Sequence, residues 1–322
     1  MIWPNGNSND EIENGVNGND VPPSPSNKQQ IPFIIQKIGR GKKEEIEEIT
    51  RMCIDVFFNE QEDAKINEDG IKKQTPPWRA LQLAYLGNLQ KGDILARNAF
   101  KQNDLVDLIV ARRVYAVPGT TQINGNIADL VEDPSQIYNM GEADSQNIES
   151  GEIIYMTGEI IGYSEVSEKS FGLGAGFDAT ATTTTIETTS QGKRKKKVGE
   201  KPRPYLSNLS VVEYARQSGV GSKLLDACEQ TVRDWNAGYT EIVLQVEEDN
   251  QTAIQFYKRR GWEYVFADPT CRRFDTSGFF LKESRITKYA MIKRLTNGSE
   301  NGEGASDAPS FIQKLKNSFF VQ

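Results

Sequence analysis

Apolar positions recur with strand or helix spacing through most of residues 31–295 and become sparse on either side. Alternating or continuous apolar runs predict strands at 32–38, 105–117, 160–168, 205–212, 241–247 and 261–266. Helical spacing predicts helices at 43–58, from 78 to about 100 with an interruption near Gly87 or Gly92, from Lys223 onward, and at 249–260 with Asp249 as N-cap. This order of elements and the chain length indicate one α/β domain.

A glycine turn follows the fourth predicted strand. Gly219 and Gly221 stand between that strand and the start of a helix. The first turn of a helix has unpaired backbone N–H groups, and glycines let a phosphate approach them without a Cβ in the way. The segment is therefore typical of a phosphate site, although a tight strand-to-helix turn without any ligand has the same pattern.

A second strand and helix complete a longer pattern. It reads Arg216-x-x-Gly219-x-Gly221, then Asn250-x-x-Ala253-x-x-Phe256-Tyr257, then Gly261-Trp262. In this order and separation the residues resemble motifs A and B of the GNAT superfamily of acetyl-CoA-dependent N-acetyltransferases. The resemblance is densest over residues 205–266. The long helix after Pro77 and the strand 204–211 are similar to those of the plastid acetyltransferases of plants and algae.

The resemblance implies a GNAT fold, a mixed and partly splayed central sheet flanked by helices, here with long insertions. It also implies that acetyl-CoA is the cosubstrate and that no metal is needed. Pantetheine would lie in the gap beside a bulged strand, against backbone groups of Leu209, Ser210 and Val211, and Asn250 would contact the cofactor from the next helix start. The pyrophosphate would lie on Arg216, Gln217, Ser218, Gly219, Val220, Gly221 and Ser222.

Tyr257 is the residue that the resemblance places near the sulfur of the cofactor. Asn250, Ala253, Ile254 and Tyr257 share one face of the predicted helix, so contact with the same ligand is consistent with helical geometry. A tyrosine there would act as a general acid toward the departing thiolate. A buried aromatic side chain of the core would show the same spacing.

The general base is not identified. Many relatives that acetylate protein N-termini carry a glutamate on the second strand, where this chain has Gln245, which cannot ionise. Glu247, Glu165 and Glu168 are substitute candidates, and each has the alternative interpretation of a solvated surface charge.

The composition excludes several kinds of chemistry. The chain has no histidine, so histidine-based nucleophilic catalysis, a histidine base and histidine metal ligands are unavailable. Cys53 and Cys228 fall in apolar helical patterns and are predicted core thiols, while Cys271 leaves a covalent acetyl-cysteine route open. The wide spacing of these cysteines argues against a zinc site or a disulfide scaffold. With a net charge of −7, nucleic-acid binding is not expected, and no apolar run of about twenty residues predicts a membrane span.

Two insertions and two tails surround the predicted domain, which extends from 31 to 295. The insertions are 118–151 and 172–202, and the second contains a basic run at 193–197 that is a solvated loop, a nuclear address or a site for an acidic partner. Residues 1–30 are predicted to be disordered and lack the composition of a transit peptide, which counts against the plastid unless the chain is processed, so cytoplasm and nucleus stay open. The tail 296–322 is predicted to be flexible, with a short amphipathic segment.

The predicted reaction is acetyl transfer from acetyl-CoA to a primary amine of a protein or peptide. An α-amino group with a pKa of about 7.7–8.0 is partly neutral near neutral pH, whereas a lysine at about 10.4 is almost fully charged. N-terminal amines are therefore expected first and lysines second. A small-molecule amine acetyltransferase and a non-catalytic acetyl-CoA-binding regulatory module are the alternatives, and Gln245 fits the second of these. The sequence leaves the oligomeric state open.

Overall fold

The computed structural model describes residues 30–59, 76–100, 105–118, 130–140, 153–172, 200–235 and 237–295. Both predicted tails apart from residue 30, the basic run at 193–197 and most of the two predicted insertions lie outside these residues. The described residues span the predicted domain, whose exact boundaries stay a prediction.

Seven strands and four α-helices make up the described part of the chain. The strands are β1 (Phe33–Ile38), β2 (Val106–Pro118), β3 (Ile153–Gly172), β4 (Glu200–Val211), β5 (Glu241–Glu247), β6 (Glu263–Asp275) and β7 (Lys282–Arg294). The helices are α1 (Lys43–Ile54), which continues as a π-helix (Asp55–Asn59), α2 (Pro77–Phe100), α3 (Val220–Asp234) and α4 (Gln251–Arg259). Short 3-10 turns occupy Pro134–Gln136 and Glu213–Ala215.

All seven strands form one sheet in the order β1-β2-β3-β4-β5-β7-β6. Within it, β4 and β5 are parallel, and the other neighbouring pairs are antiparallel. The predicted mixed sheet with flanking helices is confirmed.

Helices cover both faces of the sheet. On one face, α3 buries Val220, Leu224, Leu225 and Val232, a helical repeat of apolar positions, and α4 adds Ile254 and Tyr257. On the other face, α1 and α2 pack over β2 and β3, where Tyr163 is among the buried residues. We call these the α3 face and the α2 face.

The two predicted core thiols lie on opposite sides of the sheet. Cys53 packs on the α2 face and Cys228 on the α3 face, and both are fully buried. Burial raises the pKa of each thiol to about 12, so both stay protonated near neutral pH.

The sheet splits between β4 and β5. Their pairing is limited to Tyr205 with Val243 and Leu206 with Leu244. Immediately afterwards the register of β4 against β3 shifts, and Asn208 has a left-handed backbone with a φ of 58°. A bulge of this kind bends the strand and ends its pairing. The predicted splayed sheet is therefore confirmed, with Asn208 at the point of divergence.

Several element boundaries differ from the prediction. Helix α2 continues through Gly87 and Gly92, since Leu86 and Ile94 anchor it in the core and Gly87 faces α1, where a Cβ would lie 3.7 Å from Ile54 Cγ1. Helix α3 begins at Val220 instead of Lys223 because the left-handed Gly219 ends the preceding turn.

The prediction that Asp249 caps the next helix was wrong. Asn250 is the N-cap of α4, and its side-chain oxygen accepts a hydrogen bond from the Ala253 N–H at 3.0 Å. Strand β7 was not predicted, and β3 and β6 are longer than predicted. The charged residues of β7 dilute its alternation, and it is held by pairing with β5 and β6 on its two sides.

Gly162 provides a test of the packing between β3 and α3. A Cβ at this position would lie 2.9 Å from Leu224 Cδ1 and Val220 Cγ1 and 3.3 Å from the Ser210 carbonyl oxygen. Because those side chains are buried, Gly162→Ala is expected to lower the free energy of unfolding by about 1–3 kcal/mol, measured by urea denaturation.

Gly92→Ala is the matched control. No heavy atom lies within 4 Å of a Cβ there, and removing a glycine from a helix interior should stabilise the fold by about 0.5–1 kcal/mol. A Gly162→Ala protein as stable as the wild type would contradict the close packing.

Candidate functional site

A four-residue turn precedes α3, and we call residues 216–219 the cradle turn. Gln217 and Gly219 have left-handed backbones, with φ of 64° and 93°. The first helical hydrogen bond joins the Lys223 N–H to the Gly219 carbonyl at 3.1 Å, and Gly219 supplies no side-chain cap. The N–H groups of Val220, Gly221 and Ser222 therefore precede that bond and are available to an anion.

Glycine is favoured at the two positions of the motif for different reasons. At Gly219 the left-handed backbone favours glycine, while a Cβ would meet no heavy atom within 4 Å. At Gly221 a Cβ would meet Val211 Cγ2 at 3.7 Å and Phe256 Cζ at 3.8 Å, which are ordinary contacts. The protein itself therefore does not require a glycine at 221, and a ligand against the first turn of α3 is a reason for one.

Cationic side chains surround this helix start. Arg216 belongs to the cradle turn, and Lys223 lies in the first turn of α3, with its ammonium 4.8 Å from the centre of the Tyr138 ring. The Arg260 guanidinium donates to the Ser222 carbonyl at 3.4 Å and pairs with Asp226. Together with the helix dipole, these charges favour an anionic ligand.

The gap between β4 and β5 opens beside the cradle turn. Leu209, Ser210 and Val211, predicted to border pantetheine, lie beyond the last β4–β5 pair. The Val211 carbonyl accepts a hydrogen bond from Arg216 Nε at 3.1 Å, and the Ser210 hydroxyl lies 3.8 Å from Cys53 Sγ. The structure thus places the predicted pantetheine residues next to the predicted pyrophosphate residues.

Helix α4 carries the two remaining predicted residues. The side-chain oxygen of Asn250 is used in capping, while its amide nitrogen has no hydrogen-bond partner within the described residues. Tyr257 is almost fully buried, and its ring packs edge-on against Trp262 with centroids 5.7 Å apart. Burial raises the pKa of its hydroxyl, which therefore stays protonated. Within the described part of the chain no acceptor engages that hydroxyl, so it is available to a ligand.

Tyr205 is a residue that the sequence did not single out. Its hydroxyl donates to Gln245 Oε1 at 3.1 Å, on the α2 face, where the two strands make their last pairs. Phe171 packs against the Tyr205 ring with centroids 5.6 Å apart. The pairing register that brings Tyr205 to Gln245 joins distant segments, so no local pattern could have shown it.

All three candidate bases are engaged. Glu168 accepts a hydrogen bond from the Tyr239 hydroxyl, and Glu247 pairs with Arg273 at 3.1 Å. Glu165 is completely buried, and one of its oxygens lies 3.2 Å from an Arg97 nitrogen. None of these carboxylates is therefore singled out as a base.

Glu165 instead contacts the bulge. Its second oxygen accepts from the Tyr163 hydroxyl at 3.1 Å and lies 3.5 Å from the side-chain nitrogen of Asn208. Because Asn208 holds the left-handed conformation at which β4 leaves β5, the buried carboxylate helps to keep the gap open.

An arch on the α2 face joins the β6–β7 turn to the start of α2. Arg79 donates to the carbonyl oxygens of Thr276 at 3.1 Å and Phe58 at 2.6 Å. The Gln82 side chain donates to the Gly278 carbonyl at 2.9 Å and the Phe279 carbonyl at 3.0 Å. The arch therefore ties the turn between β6 and β7 to the helix layer of the α2 face.

Cys271 does not support the acetyl-cysteine route. Partial burial and the neighbouring Asp268 raise the pKa of its thiol, which disfavours the nucleophilic thiolate. Among the described residues, no group of three or more histidine, cysteine, aspartate or glutamate side chains is arranged to hold a metal. No helix in the described ranges has the length and apolar character needed to cross a membrane.

A comparison with protein families identifies this arrangement. Residues 131–262 match the model of the acetyltransferase (GNAT) family, a range that includes the bulge, the cradle turn and α4. The match and the fold together identify a GNAT acetyltransferase domain in this part of the chain. The roles of the individual site residues stay predictions.

Two curated proteins are similar over short stretches. GCN5-related N-acetyltransferase 7, chloroplastic, of Arabidopsis thaliana is 36% identical over 67 residues, which cover 21% of this chain and 24% of that protein. N-alpha-acetyltransferase 30 of Schizosaccharomyces pombe is 38% identical over 60 residues, which cover 19% of this chain and 39% of that protein. The chain thus spans less than half the length of either relative.

The solved structures that the chain matches have low sequence identity and low TM-scores. They include Arabidopsis thaliana NAA60 in complex with acetyl-CoA, with a TM-score of 0.36 and 16% identity over 82% of this chain and 98% of that chain. A GNAT-family acetyltransferase of Streptococcus pneumoniae has a TM-score of 0.38 and 13% identity over 82% of this chain and 99% of that chain.

Proposed function

We propose that this protein transfers an acetyl group from acetyl-CoA to the α-amino group of a protein or peptide. The observation that carries the proposal is the divergence of β4 from β5 at Asn208, directly beside an uncapped helix start, within a segment that matches the family. A strand gap and an anion site side by side suit a ligand that has an extended amide-containing arm and a pyrophosphate.

The residues present fit acetyl-CoA. Its pyrophosphate would bind the N–H groups of Val220, Gly221 and Ser222, next to Arg216 and Lys223. Its pantetheine arm would lie along residues 209–211, with the Asn250 amide nitrogen as a further donor. When bound, acetyl-CoA supplies an activated thioester acyl group.

Tyr257 is proposed as the acid. Burial raises the pKa of its hydroxyl, which therefore stays protonated near neutral pH. Because no acceptor among the described residues engages it, this hydroxyl can donate to the negative charge that develops on a leaving thiolate. Its buried position also excludes water from that hydrogen bond.

The acceptor amine would approach on the α2 face, under the arch. Gln245 cannot ionise, the chain has no histidine, and Glu165, Glu168 and Glu247 are all paired. Because none of these three carboxylates is free to act as a base, the site favours an amine that arrives already neutral. Near neutral pH, deprotonating a lysine costs on the order of 4 kcal/mol, whereas an α-amino group is already partly neutral.

The name of one relative supports the same acceptor. N-alpha-acetyltransferase 30 is an N-terminal acetyltransferase by name, and its similarity to this chain favours an N-terminal amine here as well. The chloroplast location in the name of the Arabidopsis relative supports a plastid location for this chain, which stays a proposal.

Gly221→Ala tests the phosphate site. The free protein accommodates the new Cβ at ordinary contact distance, so its thermal stability should be unchanged or slightly higher. Crowding of the anion against its N–H donors should weaken acetyl-CoA binding about tenfold or more, measured by calorimetry.

Gly219→Val is the comparison variant. It should lose both affinity and stability, because valine is strained at a φ of 93°. If the Gly221→Ala protein folds and binds acetyl-CoA with wild-type affinity, the first turn of α3 is not the phosphate site.

Tyr257→Phe tests the acid. The ring and its contact with Trp262 remain, and only the hydroxyl is lost. Turnover should fall by about a hundredfold or more, since general acid help is typically of that size, while the dissociation constant of acetyl-CoA should change little. If the Tyr257→Phe protein turned over as fast as the wild type, Tyr257 would contribute only to packing.

Competition between two matched peptides tests the acceptor. One peptide has a free N-terminus and no lysine, and the other is N-terminally blocked with one internal lysine. The free N-terminus should have the higher kcat/KM between about pH 7 and pH 8.5, because its amine is neutral more often. A higher kcat/KM for the lysine peptide would reverse the preference. Transfer to neither peptide would favour a small-molecule amine or a non-catalytic acetyl-CoA-binding module.

A further inference from the structure

Asn139 connects a remote part of the chain to the cradle turn. Its side-chain nitrogen donates to the Ser218 carbonyl at 2.7 Å and to the Ile31 carbonyl at 3.2 Å. Ser218 lies between Gln217 and Gly219, the two left-handed residues of the turn. One amide group therefore joins the start of the first strand to the centre of the cradle turn.

The segment that carries Asn139 is itself fixed. Ile137 is buried with Ile34 and Tyr155, and the backbone of Tyr138 exchanges hydrogen bonds of 2.8 and 3.2 Å with Phe33. Asn139 has a φ of 59°, a conformation that asparagine tolerates better than most residues. The amide is thus presented to Ser218 from an anchored position, although the sequence places it in a polar insertion.

Such an anchor has a physical purpose at this turn. Two left-handed positions within four residues, one of them the non-glycine Gln217, are held only where the surroundings over-determine them. The Ser218 hydroxyl donates to the Ala215 carbonyl at 2.7 Å, and the Ser218 carbonyl is held by Asn139. With both groups fixed, the N–H groups that follow keep one direction before any anion binds.

We propose that Asn139 is a positioning residue that preorganises the cradle turn for the pyrophosphate of acetyl-CoA. It does not touch the reacting atoms, and the inference rests on the proposed function. Tyr138 adds to the same effect, because its ring holds the Lys223 ammonium beside the first turn of α3.

Two substitutions test the side-chain amide of Asn139 separately from the backbone conformation of that residue. Asn139→Gly keeps the left-handed backbone at no steric cost and removes the amide. Asn139→Asp keeps the size and places a carboxylate beside the Ser218 and Ile31 carbonyl oxygens, which cannot donate to it. Thermal unfolding of each variant identifies any loss of the fold.

The readout compares a cosubstrate that has the pyrophosphate with one that lacks it. For both variants, the KM of acetyl-CoA is expected to rise roughly tenfold at unchanged kcat, and calorimetry is expected to show a similar loss of affinity for coenzyme A. The kcat/KM of acetyl-pantetheine, which ends before the pyrophosphate, should stay at the wild-type value.

Three results would overturn the role of Asn139. Equal losses for acetyl-CoA and acetyl-pantetheine would assign it to the general fold. Wild-type affinity for coenzyme A in both variants would show that the turn needs no anchor, while leaving the proposed function intact. If the wild-type protein had the same kcat/KM for acetyl-CoA and acetyl-pantetheine, the cradle turn would not be a pyrophosphate site.

Discussion

The contact between Glu165, Arg97 and Asn208 is the constraint on which the site depends. A completely buried carboxylate is held by a guanidinium at 3.2 Å and reaches the side chain of the bulge residue. Removing one partner of a buried ion pair typically costs about 3–5 kcal/mol, because the other charge is then buried without compensation. Because Asn208 marks where β4 leaves β5, this buried charge pair also maintains the break in the sheet.

The local elements were predictable because their causes are local. The glycine turn, the helices at 220–234 and 251–259 and the strand 241–247 follow from apolar spacing and turn residues. The same pattern brought Gly219, Gly221, Asn250 and Tyr257 to attention as one motif. Their common setting in the structure follows from the order of the strands around them.

The parts of the site that the sequence did not predict depend on contacts between distant segments. Tyr205 meets Gln245 through strand register, and Asn139 reaches Ser218 from a segment far away along the chain. Asn250 was assigned to the cofactor and Asp249 to the cap, yet Asn250 does the capping, since both residue types are good caps and the sequence does not choose between neighbours. Strand β7 was missed because its charged residues hide the alternation until two partners flank it.

Beyond Leu206, β4 and β5 are no longer paired, so the sheet does not fully separate its two faces there. The cradle turn and Tyr257 belong to the α3 face, whereas Tyr205, Gln245 and the arch belong to the α2 face. In the proposed reaction, acetyl-CoA and the amine would each enter from its own side of the sheet and meet through this opening. Neither would have to leave before the other arrives, so direct transfer in a ternary complex would need no covalent acyl-protein intermediate.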